Sequence, residues 1–490
     1  MNRPIVHIFA FSLLLFGLLV AWTSRWTVFE ASELEANNLN RRGLIAEQQI
    51  RRGSITTVDG VLVAESEPRG GRGGEDPVYV RTYPQGELFG NPVGYNFVNV
   101  GRTGIESSEN DLLVGEENEF QSLVDQLRGV TQEGADVTLT IDAEAQRVAT
   151  ESLQAAISVP DTGAAAVAIE PDTGAVRAMV SVPGFDSNLV QDPAEFKRLS
   201  GAEGPSPLVN RAAQSTYPPG STMKVVTAAA GLDSGEIEPA TVLNADSPKQ
   251  ISGVPLQNSG GQSFGDIDAT TALTNSVNTY WAQVGERLGA ETMVEYMERF
   301  GFYDDPRLDY PAQQMRASGV YNVDGDLVRG RFDVGRVAIG QGGEEGQILA
   351  SALQMAQVAG TIANRGVLME PTLLQEAIDP DGRRIEELDP SEQGRVISEE
   401  AADQLAEMMT NVTREGTAAG LSVPGAAEFS GKTGTSEINL EGLNQPWFIG
   451  FAPADDPRIA VAVTVERCQG CFGGEVAGPI ATELMGLLLQ

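Results

Sequence analysis

The chain has 490 residues, of which 41% are hydrophobic, enough for more than one packed domain. Its 68 acidic residues against 33 basic ones give a formal charge of −35. That balance argues against a nucleic-acid partner and against docking on an anionic membrane surface.

Residues 5–22 are apolar except for His7, Ser12 and Gly17, about the length that crosses a bilayer core. Arg3 precedes the run as on a cytoplasmic end, although Arg25 just beyond it weakens the asymmetry. A cleaved signal peptide is the rival reading, but Ala21-Trp22-Thr23 stands where an Ala-x-Ala site belongs. Residues 1–22 are therefore expected to be a cytoplasmic tip and an uncleaved single-pass anchor in the cell membrane. The bulk of the chain then lies outside the cytoplasm. Residues 31–50 predict a polar helical connector. Residues 52–64 form two short alternating runs around Asp59-Gly60, a hairpin signal. Residues 66–77 are charged and Gly-rich and predict a loop.

From Asp136 the pattern changes. Residues 136–141 predict a strand, and Asp142 is placed to cap a helix running to about residue 157. Residues 164–169 and 175–180 predict strands joined by the turn Glu170-Pro171-Asp172-Thr173-Gly174. Near the C-terminus, residues 447–451 and 459–465 predict strands, and residues 479–489 a last helix. A mixed sheet with helices against it makes the larger domain α+β.

Only 4 lysines occur in the chain, and two lie in short motifs suited to serine chemistry. Ser221-Thr222-Met223-Lys224 follows Pro218-Pro219-Gly220, which breaks the preceding structure and lets a helix start. Lys224 then returns to the face of Ser221. The helix continues through Val225, Val226, Ala228, Ala229, Ala230 and Leu232, so its lysine has no solvated face and must be paired or neutral. A neutral amine beside a serine hydroxyl is a competent general base. The single histidine, His7, lies in the apolar run, so no imidazole is available for this task. Taken alone, Ser-x-x-Lys also fits a surface lysine on an amphipathic helix. Lys432-Thr433-Gly434-Thr435 reads as a strand with Lys432 and Gly434 on one face, where a glycine admits a substrate backbone. A second cation near Lys224 depresses its pKa further. A turn with a solvated lysine is the bland alternative. Ser276 and Asn278, in Thr274-Asn275-Ser276-Val277-Asn278-Thr279, reach one cleft only from an irregular segment between helices.

In this order, Ser-x-x-Lys, Ser-x-Asn and Lys-Thr-Gly are the signature of penicillin-recognising serine acyl-transferases. The chain resembles the penicillin-binding proteins, more narrowly the monofunctional class B transpeptidases of peptidoglycan assembly, with a likeness to the actinobacterial subgroup. The match also takes in Arg52-Gly53-Ser54-Ile55 with Asp59-Gly60, Gly104-Ile105-Glu106, Ile339-Gly340-Gln341-Gly342 and residues 447–453. The resemblance implies an α+β transpeptidase domain over 136–490, an antiparallel sheet with helices on both faces. A smaller α+β pedestal (dimerisation-like) domain over 23–135 would precede it. It implies that Ser221 attacks the carbonyl of a terminal D-Ala-D-Ala stem peptide, with Lys224 taking its proton. Ser276, helped by Lys432, would relay a proton to the leaving D-Ala, and Asn278 would hold the substrate backbone. The Lys432-Thr433-Gly434-Thr435 strand would bind substrate, with the Thr435 hydroxyl on the terminal carboxylate. The backbone N–H groups of Ser221 and Thr435 would form the oxyanion hole. An amine of a second stem peptide then resolves the ester. β-Lactam antibiotics would acylate the same serine. No cofactor or metal is implied, and the implied partner is a separate SEDS-type membrane glycan polymerase.

Several rivals remain. Gly261-Gln262-Ser263-Phe264-Gly265 matches a nucleophile elbow, but no histidine follows it. A bifunctional synthase would need a polymerase domain where class B landmarks stand. A β-lactamase would need a deacylating base, for which Glu286, Glu291, Glu295 and Glu298 are the nearby carboxylates. A β-lactam sensor, a scaffold subunit and a D,D-carboxypeptidase also stay open. Cys468-Gln469-Gly470-Cys471 lacks further zinc ligands. In an exported protein it suggests a local disulfide across a turn, with a redox switch at the active-site rim as the alternative.

Overall fold

The computed structural model describes residues 3–26, 42–70, 78–115, 133–201, 206–343, 345–437 and 442–490. Helix α1 (Arg3–Ser24) takes up the whole apolar run, buries none of it, and is long and apolar enough to cross a membrane. Of the expected connector, residues 31–41 lie outside the described residues, and Arg42–Glu47 is helical.

In chain order the strands that build the two main sheets are β1 (Ile55–Thr56), β2 (Leu62–Arg69), β3 (Val78–Thr82), β4 (Asp136–Leu139), β5 (Ala164–Ile169), β6 (Val176–Val182), β7 (Leu374–Ile378), β8 (Arg384–Glu387), β9 (Ser430–Glu437), β10 (Leu443–Ala452), β11 (Ile459–Val465) and β12 (Cys468–Gln469). The first sheet runs β8-β7-β4-β1-β2-β3 and is antiparallel except where β1 lies parallel to β4. The hairpin at Asp59-Gly60 forms as expected, pairing Ile55 with Ala64. Residues 66–69, expected in a loop, instead extend β2. There β2 pairs with β3 while most of its side chains face solvent, so no apolar alternation marks it. Residues 71–77 of that expected loop lie outside the described residues. Because β4, β7 and β8 join β1, β2 and β3, this sheet draws strands from both sides of position 135.

A buried ion cluster locks the first sheet. Glu106 is fully buried and accepts from Arg52 Nη2 at 2.8 Å, Arg81 Nε at 2.5 Å and the Tyr83 hydroxyl at 3.2 Å. Arg81 also donates to the Gly53 carbonyl at 2.7 Å. The two guanidinium groups hold the Glu106 carboxyl below its ordinary value although burial pushes it up.

The second sheet runs β9-β10-β11-β5-β6, all antiparallel, with β12 added to β10. Strands β5 and β11 are buried along their whole length and read as unbroken apolar runs. Asp142 caps helix α2 (Ala143–Ala156), its carboxylate accepting from Ala145 N–H at 2.8 Å. Against this sheet pack α2 together with α8 (Ala477–Leu488), and α6 (Ala352–Ala363) together with α7 (Glu399–Glu415). Helix α6 is buried at every position and is mostly apolar, its polar Gln354 and Thr361 side chains donating to the Phe300 and Gln357 carbonyls. Helices α3 (Met223–Asp233), α4 (Ala269–Thr274) and α5 (Asn278–Arg299) complete the region that holds the Ser221 and Ser276 motifs. The expected α+β class holds, but β4 stops two residues short of its expected end, β6 runs two past it, and β10 starts four residues early at Leu443.

Glu109 joins two short helices, Ile105–Ser108 and Asn110–Val114. Burial, then the charges of Asp309, Glu386 and Asp111, push its carboxyl up to about 7. A raised carboxyl pKa favours folding below the ordinary value near 4.5, and that contribution is lost as pH rises through about 7. Glu109→Gln is expected to raise the melting temperature at pH 8 by roughly 1–2 °C. At pH 5 the gain in a thermal scan should nearly vanish.

Candidate active site

The site begins with a backbone arrangement that only glycine permits. Gly220 sits at φ +54°, and its N–H donates to the Gly340 carbonyl at 3.1 Å. A Cβ on Gly220 would stand 2.6 Å from Ser436 Oγ and 3.0 Å from the Thr435 carbonyl carbon. A Cβ on Gly340 would lie 1.8 Å from the Gly220 oxygen. The turn is tied down further by two donors to the Pro218 carbonyl, Trp447 Nε1 at 2.9 Å and Ser436 Oγ at 3.0 Å. Ser221 follows in the 3-10 turn Gly220–Thr222, which runs straight into α3.

Lys224, the second residue of that helix and one turn on from Ser221, is fully buried. Its Nζ lies 2.9 Å from Ser221 Oγ, 2.7 Å from the Ser276 carbonyl, 3.1 Å from Ser276 Oγ and 2.6 Å from Asn278 Oδ1. Lys432, also fully buried, lies 2.9 Å from Ser276 Oγ and donates to the Thr433 carbonyl at 2.9 Å. The Ser276 hydroxyl therefore bridges two amines. Burial, and then the charge on Lys432, push Lys224 well below its ordinary value, while burial lowers Lys432 to about 7. A neutral Lys224 has a lone pair to receive the Ser221 proton.

The middle motif reaches the cleft from an irregular segment, as the sequence requires. Ser276 takes φ +57° between α4 and α5, Val277 is the buried N-cap, and Asn278 opens α5. The Asn278 amide spans Lys224 on its oxygen and the Gln257 carbonyl, 3.1 Å away, on its nitrogen.

On β9, Lys432 and Gly434 share a face, but the glycine's reason differs from the expected one. A Cβ there would meet the Pro219 oxygen at 2.8 Å, Thr222 Cγ2 at 2.9 Å and Trp447 Cβ at 3.0 Å. Gly434 thus lets the strand press on the Ser221 turn rather than leaving room for a substrate backbone. Thr433 and Thr435 alternate to the other face. The Thr433 hydroxyl pairs with that of Thr417 at 2.6 Å, and Thr435 Oγ1 accepts from Gly473 N–H at 3.1 Å. Sequence patterns do not single out Thr417, Ser436 and Gly473, because their roles are contacts made only in three dimensions. Cys468 and Cys471 are joined by a disulfide.

Three of the carboxylates considered as deacylating bases are engaged elsewhere. Glu286 accepts from Ser252 N–H at 2.7 Å, Glu295 pairs with Arg299 at 2.5 Å and Glu298 with Arg329 at 2.6 Å.

A serine beside a buried, proton-poor lysine, with a second lysine behind a bridging hydroxyl, defines a serine acyl-transferase. Residues 164–486 match the penicillin binding protein transpeptidase domain family, and residues 52–137 the penicillin binding protein A dimerisation domain. The whole chain is 32% identical to the peptidoglycan D,D-transpeptidase PbpA of Mycolicibacterium smegmatis, covering 99% of that protein. PbpA of Mycobacterium tuberculosis is also 32% identical, again over the whole chain and 99% of the relative. The structure of M. tuberculosis penicillin-binding protein A as a ceftriaxone acyl-enzyme superposes with a TM-score of 0.79 at 32% identity, over 91% of this chain and all of that one. The chain belongs to the penicillin-binding protein transpeptidase family.

The stack of Gly340 on Gly220 gives a direct test. Gly340→Ala is expected to displace the Ser221 turn and to slow acylation by a β-lactam by about 100-fold. A thermal scan should show the variant folded.

Proposed function

We propose that this protein is a serine D,D-transpeptidase that cross-links peptidoglycan. The observation that carries the reading is the 2.9 Å approach of Lys224 Nζ to Ser221 Oγ in a site where both lysines are fully buried. Ser221 attacks the carbonyl of the penultimate D-Ala of a stem peptide as Lys224 takes its proton. Negative charge on the carbonyl oxygen is met by the backbone N–H groups of Ser221 and Thr435. Ser276 passes a proton to the departing amine of D-Ala, with Lys432 donating to its hydroxyl. The ester is then opened by an amine of a second stem peptide. Asn278 and the β9 residues Thr433, Gly434 and Thr435 orient the donor, with the Thr435 hydroxyl on its carboxylate. β-Lactams enter as donor mimics, and the acyl-enzyme complex of the M. tuberculosis relative supports this.

Helix α1 anchors the chain in the cell membrane as a single pass, and the remainder is extracytoplasmic, where peptidoglycan is made. Residues 23–135 supply the core of the pedestal, whose sheet also takes β4, β7 and β8 from the 136–490 segment that carries the catalytic domain. A SEDS-type glycan polymerase in the same membrane supplies the uncross-linked strands.

Intact mass after benzylpenicillin is the first test. Wild-type protein should gain one stable adduct lasting hours, and Ser221→Ala none. No adduct on either protein would leave a scaffold subunit, and an adduct that clears within seconds would mean a β-lactamase. The rate of acylation should rise with pH as Lys224 loses its proton and level off well below the ordinary lysine value. Lys432→Met removes a neighbouring positive charge, so Lys224 holds its proton more tightly. The rising limb should then move to higher pH, with an overall loss of roughly 100-fold or more.

A further inference from the structure

The turn that follows β11 is built around the disulfide between Cys468 and Cys471, and three contacts hold it against the catalytic sheet. Cys468 pairs with Asn444 of β10, and the Asn444 side-chain amide donates to the Cys471 carbonyl at 2.9 Å. Gly470 N–H donates to the Gly442 carbonyl at 3.0 Å. Two residues past the disulfide, Gly473 lies flat on the sheet. A Cβ there would stand 2.2 Å from the Trp447 oxygen and 2.3 Å from the Gly434 oxygen. From that position its N–H reaches Thr435 Oγ1 at 3.1 Å. Its carbonyl in turn accepts from Gly478 N–H at 2.8 Å, which joins the turn to the start of α8.

A hydroxyl has one proton to donate and can rotate about its C–O bond. When Gly473 N–H occupies an acceptor position on Thr435 Oγ1, the hydroxyl proton points elsewhere, free for an anionic acceptor. The disulfide shortens the span over which the chain between β12 and Gly473 can wander, because Cys468 is buried and fixed in a strand.

We infer that the Cys468–Cys471 disulfide is a positioning device for the Thr435 hydroxyl. It holds Gly473 N–H on Thr435 Oγ1 so that the hydroxyl proton is directed at the carboxylate of the donor peptide or of a β-lactam. This rests on the reading of Ser221 as nucleophile and of Thr435 as the carboxylate partner. Reduction by an external dithiol would convert the pair to two thiols, each sulfur gaining one electron and one proton, while the dithiol becomes a disulfide. The position of Gly473 would then depend on its non-covalent contacts alone. The consequence falls on binding before acylation, not on proton transfer at Ser221, which Lys224 and Ser276 govern from the other face of β9.

The test is a double-mutant cycle on the full-length protein in detergent, with benzylpenicillin as probe. The dissociation constant of the pre-covalent complex and the acylation rate constant are measured separately. Cys468→Ser/Cys471→Ser should weaken the pre-covalent complex by about tenfold, the scale of one charge-assisted hydrogen bond, and change the acylation constant by less than about threefold. Thr435→Val should do the same, and the combined variant should be little worse than either, because both remove one interaction. Wild-type protein treated with dithiothreitol should match the double-serine variant, and thermal scans should show all variants folded. Losses that multiply in the combined variant, or a loss confined to the acylation constant, would overturn the positioning role while leaving the transpeptidase reading intact. If Thr435→Val binds benzylpenicillin as tightly as wild type, both the role of Thr435 and the inference fall, while acylation of Ser221 still reports on the catalytic reading.

Discussion

The whole catalytic region is arranged around two lysines kept out of water on either side of one serine hydroxyl. An ammonium group in that setting is disfavoured by lost hydration and by its neighbour, so the ordinary resting form of lysine is the form this site rejects. The interior supplies oxygens instead: the Ser276 carbonyl, the Ser276 and Ser221 hydroxyls and the Asn278 amide surround Lys224. Each can accept from an N–H of the amine without adding a negative charge that would pull its pKa back up. Among the described residues, no carboxylate is hydrogen-bonded to either amine. That choice of neutral partners keeps Lys224 basic enough to take a proton and free enough to have a lone pair.

Holding such a site open to substrate yet dry behind requires an over-determined backbone. Four glycines do this by removing side chains where main chains touch. Gly340 lies against Gly220, Gly220 against Thr435, Gly434 against Pro219, and Gly473 against Gly434. The result is a stack of backbones from the Gly340 loop through the nucleophile turn and β9 to the disulfide turn. Trp447 and Ser436 secure its centre through the single Pro218 carbonyl. Of these layers, Gly340, Gly220 and Gly434 bear directly on the turn that carries Ser221, while Gly473 bears on β9 and β10. The cluster of Glu106 with Arg52 and Arg81 works differently: there the charges are paired, so burial of ions fixes the first sheet without creating reactivity.

Much of this is legible in the sequence. The apolar surroundings of Lys224 announce a buried amine, and the interval between Ser276 and Asn278 announces a break between helices. Both follow from local periodicity. The cap at Asp142, the hairpin at Asp59-Gly60 and the buried strands β5 and β11 are legible for the same reason. The role of Gly434 is misread from sequence because a strand glycine looks alike whether a ligand or another backbone approaches it. Residues 66–69 read as loop because their strand faces solvent on both sides, which erases alternation. Thr417, Ser436 and Gly473 give no signal, since each matters only through a partner far away in sequence. The reach of the first sheet across position 135 is equally hidden, because β7 joins it from more than 200 residues downstream.

The position of β9 explains how one strand can serve two masters. It ends the second sheet, so its inner edge pairs with β10 while its outer edge has no strand partner among the described residues. Its side chains divide by alternation: Lys432 and Gly434 turn toward the nucleophile turn and Ser276, and Thr433 and Thr435 toward Thr417 and Gly473. Neither set lies along the strand's outer edge, which among the described residues has no strand beside it. An extended stem peptide can add there as one more strand, bringing its carbonyl to the serine through main-chain pairing. On the proposed reading, chemistry would come from one face of β9, carboxylate recognition from the other, and alignment from the edge between them.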